Sequence, residues 1–319
     1  MKPPERECST PGKQGGHPAR RSMLRRVPIL RGFLRYRMEF APGASAAALR
    51  EWGAAGFDGV WRLDGGEMVT RHRDRSVFKV TSSLGGRRAV FFVKRLGRAH
   101  LKSVAASLLS LERPLSKCLV EWEFARLLSA SGVSTAPMLA AGEVRLGPFP
   151  LESFLVTREI EGSRPLDEYV RDGSGSARAA GPLRRGLIEA VAQTVACMHS
   201  AGLFHRDLYA KHIFIRREGG EFVINVIDLQ RMRRSSRERL AVRDLAALNV
   251  TLPQDAASDR DRLRFIAVYA SCRWGGDGAS KARRLAAGVL KRSHHISGRK
   301  KFRGINWRPR GGNENSDSN

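Results

Sequence analysis

Acidic residues are scarce in this chain: 31 Asp and Glu stand against 57 Lys and Arg, a formal charge of +26. Such an imbalance points to a polyanionic neighbour, and nucleic acid, anionic lipid and phosphorylated glycan all qualify. Cysteine is nearly absent. Cys8, Cys118, Cys197 and Cys272 are scattered, with no CxxC pair and no cysteine–histidine cluster at zinc spacing. That excludes a disulfide framework and a structural zinc site, and a reducing compartment is the default. Aromatic residues make up only 7%, with no aromatic-and-basic motif that would stack nucleobases, so no specific nucleic acid partner is expected. No stretch holds the about 18 consecutive apolar residues that a membrane span requires. Near the start, Arg25, Arg26, Arg31 and Arg35 interrupt every run that could form the apolar core of an export signal. The chain reads as soluble or peripheral to a membrane.

The 319 residues, 42% of them hydrophobic, are enough for one large domain or two modest lobes with real cores. Residues 1–38 mix Pro, Gly and Arg with few aliphatics and form a basic arm. From Phe57 to about Leu96 short β-rich runs recur, including Ser76-Val77-Phe78-Lys79-Val80 and Ala89-Val90-Phe91-Phe92-Val93-Lys94. The Gly85-Gly86 turn between them predicts a hairpin. Leu119, Trp122, Phe124, Ala125, Leu127 and Leu128 recur at helical spacing before Gly132. A strand over 153–157 follows, then a Gly/Ser/Ala-rich connector from Arg171 to Pro182. Beyond it Leu183, Leu187, Val191, Val195 and Met198 line one face of a helix stopped by Gly202. A second hairpin spans Ile213-Phe214-Ile215, the Gly219-Gly220 turn and Phe222 to Ile227. Helical patterns then cover 238–250, 259–272 and 279–292, before a basic and then polar tail over 293–319.

The most informative segment is His205-Arg206-Asp207-Leu208-Tyr209-Ala210-Lys211-His212, followed by the second hairpin and by Asp228 at its end. Phosphoryl transfer needs a carboxylate to orient the acceptor hydroxyl and take its proton, and separate ligands to hold Mg²⁺ on the nucleotide phosphates. A His-Arg-Asp loop before a hairpin, with a second Asp after it, is the order found in protein kinases. Those loops end in Asn where this one has His212, and a neutral imidazole can ligate a metal as well. A kinase also needs a strand lysine on the phosphates and a helix carboxylate to hold it. Lys94 ends the run Phe91-Phe92-Val93-Lys94. Of Glu121 and Glu123, Glu121 is preferred, because it shares one helical stripe with Phe124, Ala125 and Leu128.

Other kinase parts are missing. No GxGxxG precedes the first hairpin, and the only candidate to cover the phosphates is the basic turn Arg71-His72-Arg73-Asp74-Arg75. Its arginines either contact phosphates or form a solvated hairpin tip. No Phe-Gly follows Asp228 and no Ala-Pro-Glu lies downstream, so the peptide-binding apparatus of an ordinary protein kinase is not visible.

At these residues the sequence resembles the bacterial lipopolysaccharide core kinases, the Kdo and heptose kinase family, an atypical branch of the protein-kinase-like fold. The likeness is carried by the loop from His205 to Phe214, by Ile227-Asp228-Leu229-Gln230-Arg231 and by Arg243-Asp244-Leu245-Ala246-Ala247-Leu248. Phe91 to Arg95 and Glu152 to Gly162 belong to it as well, so that it covers about residues 57–250. The resemblance implies an α+β, bilobal protein-kinase-like fold. Its N-lobe would be an antiparallel β-sheet over 39–158 and its mainly helical C-lobe would span 159–292, with ATP between them. It implies ATP- and Mg²⁺-dependent phosphorylation of a Kdo or heptose hydroxyl at the cytoplasmic face of the inner membrane. Asp207 would be the catalytic base, His212 and Asp228 the Mg²⁺ ligands, Lys94 the phosphate lysine and Glu121 its partner. Thr157, Arg158, Glu159 and Ile160 would form the hinge against adenine.

The implied partners are the lipopolysaccharide core glycolipid and the anionic membrane surface, with protein partners unknown. The basic termini would meet that surface, unless the charge reflects only an arginine-rich composition. Two alternatives are a kinase of proteins or aminoglycoside-type small molecules, and a catalytically inactive basic scaffold on nucleic acid or anionic lipid.

Overall fold

A computed structural model describes residues 32–41, 49, 54, 56–63, 66–72, 74–84, 87–97, 115–171 and 181–298. The basic arm through Arg31, the Gly85-Gly86 turn, residues 172–180 of the connector and the tail from 299 onward lie outside them.

The N-terminal part is a six-stranded antiparallel sheet built from β1 (Leu34–Phe40), β2 (Glu67–His72), β3 (Arg75–Leu84), β4 (Arg87–Leu96), β6 (Met138–Leu146) and β7 (Phe149–Arg158). Their order across the sheet is β1-β6-β7-β4-β3-β2. Alternation gives it two unlike faces. On one, Phe91 and Val93 of β4 and Phe154 and Val156 of β7 are buried with Phe57, Val60 and Trp61 of helix α1 (Gly56–Arg62). Burial stabilises each side chain of this size by on the order of 2 kcal/mol. On the other, Leu96 and Leu155 pack with Cys118, Leu119 and Trp122 of helix α2 (Lys117–Ala130). Lys94 lies on this second face, between Phe92 and Leu96 on β4 and opposite Leu155.

The C-terminal part is mainly helical. Helices α3 (Leu166–Arg171), α4 (Gly181–Ser200), α5 (Arg239–Thr251), α6 (Asp259–Trp274) and α7 (Gly278–Ser297) surround one core, with Leu187, Val191, Val195 and Met198 of α4 buried at the expected helical spacing. The hairpin β10 (Ile213–Glu218) and β11 (Glu221–Val226) joins β5 (Ser134–Thr135) and β8 (Arg164–Pro165) in a small sheet. The pair β9 (Leu203–Phe204) and β12 (Arg233–Arg234) brackets the His205 loop. Mixed α+β architecture with an antiparallel sheet followed by a helical part is the expected class.

Four local readings change. Residues Gly56–Arg62 are helical, not part of the β-rich region, because Phe57, Val60 and Trp61 at i, i+3 and i+4 make one apolar face. Strand β1 begins at Leu34, inside the segment assigned to the arm, and pairs with β6 from Leu34 to Phe40. Helix α7 runs to Ser297, past the expected start of the tail, because Ser293 and Ile296 are buried. Strand β6 was not expected from its Ala- and Gly-rich sequence. Its Gly142 is required by packing, since a Cβ there would stand 2.6 Å from Cε1 of Phe154.

Candidate active site

The site is built where the Lys94 face of the sheet meets α2 and the loops of the helical part. Lys94 Nζ lies 2.5 Å from Glu121 Oε2 and 3.4 Å from Asp228 Oδ1. Glu121 is buried, whereas Glu123 turns away to Arg126 at 3.4 Å and Arg37 at 3.6 Å. The helical stripe through Phe124, Ala125 and Leu128 thus carries the carboxylate that meets Lys94. The start of α2 is fixed to the sheet: the Ser116 N–H donates to buried Glu143 of β6 at 3.1 Å, while Ser116 Oγ caps the helix by accepting from the Leu119 N–H. Burial pulls the Lys94 ammonium down, but Glu121 and Asp228 outweigh it and hold the group above its ordinary range. Burial pushes the Asp228 carboxyl up, yet Lys94, His212 and Arg75 keep it below the usual carboxylate range. Both groups are charged at neutral pH.

The His205 loop is held from beneath by Asp244 of α5. This fully buried carboxylate accepts the backbone N–H of His205 and of Arg206, each at 2.7 Å. The two bonds secure Arg206 at φ 67°, a left-handed conformation that costs a non-glycine residue on the order of 1 kcal/mol. His205 Nε2 sits 2.9 Å from the Ile227 carbonyl and so ties the loop to the residue preceding Asp228, itself left-handed at φ 60°. Asp207 is thereby presented with its carboxylate oriented by Tyr209, whose hydroxyl donates to Oδ1 at 2.9 Å, and by Arg231 at 2.9 Å from Oδ2. Arg243 lies 3.9 Å from Oδ1. Burial and the adjacent Asp207 charge push the Tyr209 phenol well up, so it stays a donor.

His212 and Asp228 face each other. The Asp207 carbonyl accepts from His212 Nδ1 at 3.0 Å, which fixes the proton on that nitrogen and turns the Nε2 lone pair towards Asp228 Oδ2, 3.7 Å away. Burial lowers the imidazole's proton affinity, with Asp228 only partly offsetting it. A lone pair and a carboxylate oxygen converging at this separation suit a shared cation. Among the described residues no cluster holds three or more potential metal ligands. Mg²⁺ at nucleotide sites takes one or two protein carboxylates, so Asp228 fits that part by its chemistry, and His212 would add a nitrogen ligand.

Thr157, Arg158, Glu159 and Ile160, all half-buried, carry the chain from β7 out of the sheet. The Arg158 N–H donates to the Pro137 carbonyl and the Glu159 N–H to that of Val90, both at 2.8 Å. Every expected site residue except this hinge set therefore gathers around Asp228 and Asp207. Sequence reasoning did not single out Tyr209, Arg231, Arg243 or Asp244 as site residues, although each lies in a quoted segment. Their roles depend on partners 2 to 39 positions away, a relation that spacing does not reveal.

The sequence profile of the lipopolysaccharide kinase (Kdo/WaaP) family matches residues 66–269. The chain is 34% identical over 206 residues to the lipopolysaccharide core heptose(I) kinase WaaP of Pseudomonas aeruginosa, a match covering 60% of this chain and 76% of that protein. It is 27% identical over 152 residues to a 3-deoxy-D-manno-octulosonic acid kinase of Vibrio parahaemolyticus, covering 44% of this chain and 60% of that one. A solved structure of WaaP in complex with acyl carrier protein superposes with a TM-score of 0.55 at 27% identity, over 79% of this chain and 99% of that chain. Fold, site and sequence agree: the chain belongs to the lipopolysaccharide kinase (Kdo/WaaP) family and is an ATP-dependent phosphotransferase.

Proposed function

We propose that this protein transfers the γ-phosphoryl group of ATP to a sugar hydroxyl of the lipopolysaccharide inner core. The observation that carries the reading is the convergence of Lys94, Glu121, Asp228 and His212 beside Asp207, on a chain of this family. Lys94, held by Glu121, binds and orients the phosphates, and the hinge Thr157–Ile160 meets the adenine. Asp207 aligns the acceptor hydroxyl and takes its proton as the oxygen bonds to the γ-phosphorus. The bond from that phosphorus to the bridging oxygen breaks and ADP leaves. His212 and Asp228 would hold Mg²⁺, which supplies charge neutralisation on the phosphate oxygens.

Relatives named as heptose(I) and Kdo kinases make these two sugars the first acceptors to test. Heptose is favoured by the closer match. Arg206, Arg231 and Arg243 around Asp207 suit an acceptor that carries carboxylates or phosphates. None of the described helices is long and apolar enough to cross a membrane. The excess of basic residues would hold the enzyme on the anionic inner-membrane surface, peripherally and on the cytoplasmic face.

We also propose an acyl carrier protein as a partner, because the WaaP structure similar to this one contains one. The helical part has an apolar cavity of about 440 Å³ lined by Leu187, Val191, Leu248, Leu263, Ile266 and Leu290, which would take an acyl chain; Arg184, paired with Asp261, Arg262 and Asp259 are also in its wall.

The test is to incubate the purified protein with ATP, Mg²⁺ and dephosphorylated core bearing or lacking heptose, and to locate any new phosphate by phosphorus NMR. Phosphate on a heptose hydroxyl supports the reading. Phosphate on Kdo moves the acceptor to that sugar, and phosphorylation of proteins in preference to either core would refute it.

A further inference from the structure

The chain lacks the glycine-rich loop that covers the phosphates in kinases, and the structure offers a different device at that place. In the β3–β4 pair Val77 stands opposite Lys94 and Arg75 opposite Leu96. Directly opposed residues of an antiparallel pair project to the same face. Arg75, the first residue after the β2–β3 turn, therefore lies on the Lys94 face, whereas Arg71, opposite Ser76, lies on the other and is exposed. Arg75 is half-buried, and its Nε is buried with no hydrogen-bond partner. Leaving such a donor unmatched is costly unless a ligand covers it.

Lys117 approaches from a second direction. It precedes Glu121 by four residues on α2, one helical turn, and so shares its face. Burial and then the Arg75 and Arg231 charges push its ammonium below the ordinary lysine range. The Arg75 charge also acts on Lys94 and Asp228. Arg75, Lys94 and Lys117, from three elements, and Arg231, which acts on Lys117, thus share one region with Glu121 and Asp228. Arginine cannot relieve this crowding by losing its proton, so an anion is the remaining counterpart.

We propose that Arg75, backed by Lys117, binds the β- and γ-phosphates of the nucleotide with side-chain donors, in the place where kinases use glycine-rich backbone amides. The inference rests on the nucleotide-binding reading above and names the residues that complete it. A planar guanidinium with paired donors matches phosphate oxygens better than an ammonium does, so lysine is an incomplete substitute.

The test is calorimetric binding of ATP, ADP and AMP, each with Mg²⁺, to the full chain and to Arg75→Gln, Arg75→Lys, Lys117→Gln and the control Arg71→Gln. Thermal midpoints without nucleotide are taken in parallel. Arg75→Gln is expected to weaken ATP binding about 10- to 100-fold, to leave AMP binding unchanged, and to be partly rescued in Arg75→Lys. Lys117→Gln should show a smaller loss of the same kind, and Arg71→Gln none. ATP binding by Arg75→Gln as tight as wild type, or an equal loss for AMP and ATP, would overturn the proposal while leaving the kinase reading standing. A wild-type chain that binds no nucleotide at all would overturn both.

Discussion

Lys94 Nζ donates to Glu121 Oε2 across 2.5 Å, and both side chains are nearly buried, at 13% and 7% exposure. The pair joins β4 to α2, so it fixes Lys94 relative to Asp228 and not only to its own strand. Glu121→Gln should lower turnover by about 100-fold, the scale of losing one aligned electrostatic group. Fluorescence measurement of ATP affinity should show a much smaller change, because the lysine charge survives.

Asp244 faces no substrate, yet it accepts two backbone N–H groups of the His205 loop. Asp244→Ala leaves the buried His205 donor and the partly buried Arg206 donor without a partner and removes the restraint on Arg206. A loss of about 3 kcal/mol in unfolding free energy is expected, read by urea denaturation. Activity of the remaining folded fraction should fall with it, since Asp207 would no longer be held at its position.

Arg231 lies 2.9 Å from Oδ2 of Asp207 and Arg243 3.9 Å from Oδ1. Replacing Arg231 by Gln should raise the KM for an anionic core acceptor about tenfold, the scale of one charge-assisted hydrogen bond, with little change in the KM for ATP. Steady-state kinetics with each substrate varied in turn separates the two.

His199 sits fully buried beneath the His205 loop, with Nδ1 2.8 Å from the Tyr269 hydroxyl and Nε2 3.4 Å from Asp244 Oδ2. Burial lowers its proton affinity, and Asp244 offsets only part of the effect against Arg273. Below about pH 6.5 the unfolded chain takes up a proton here that the folded chain does not. The stability from this group is therefore present above about pH 6.5 and declines as the pH falls below that value. Thermal midpoints measured from neutral to mildly acidic pH should fall more steeply for wild type than for His199→Gln.

Much of the fold was legible because its signals are local. The α2 and α4 stripes, the two hairpins and the order of Lys94, Glu121, Asp207, His212 and Asp228 all appear as short patterns, and the structure brings these five residues together. The unexpected elements depend on distant partners. Strand β6 reads as a weak Ala/Gly segment until the Phe154 ring is seen against Gly142, and β1 looked like basic arm because only its pairing with β6 makes it a strand. Arg75 is the clearest case. Its turn was ambiguous in sequence between phosphate contact and solvated tip, and the strand register, which turns it to the Lys94 face, distinguishes it from Arg71.

The most direct test of the central claim is transfer of radiolabelled γ-phosphate from ATP to dephosphorylated lipopolysaccharide core by wild type and Asp207→Asn, with ATP binding measured on the same preparations. Label on the core is expected with wild type, and a loss of about a thousandfold in Asp207→Asn, the range of general-base catalysis, at undiminished ATP affinity. Equal transfer by the two proteins would contradict it.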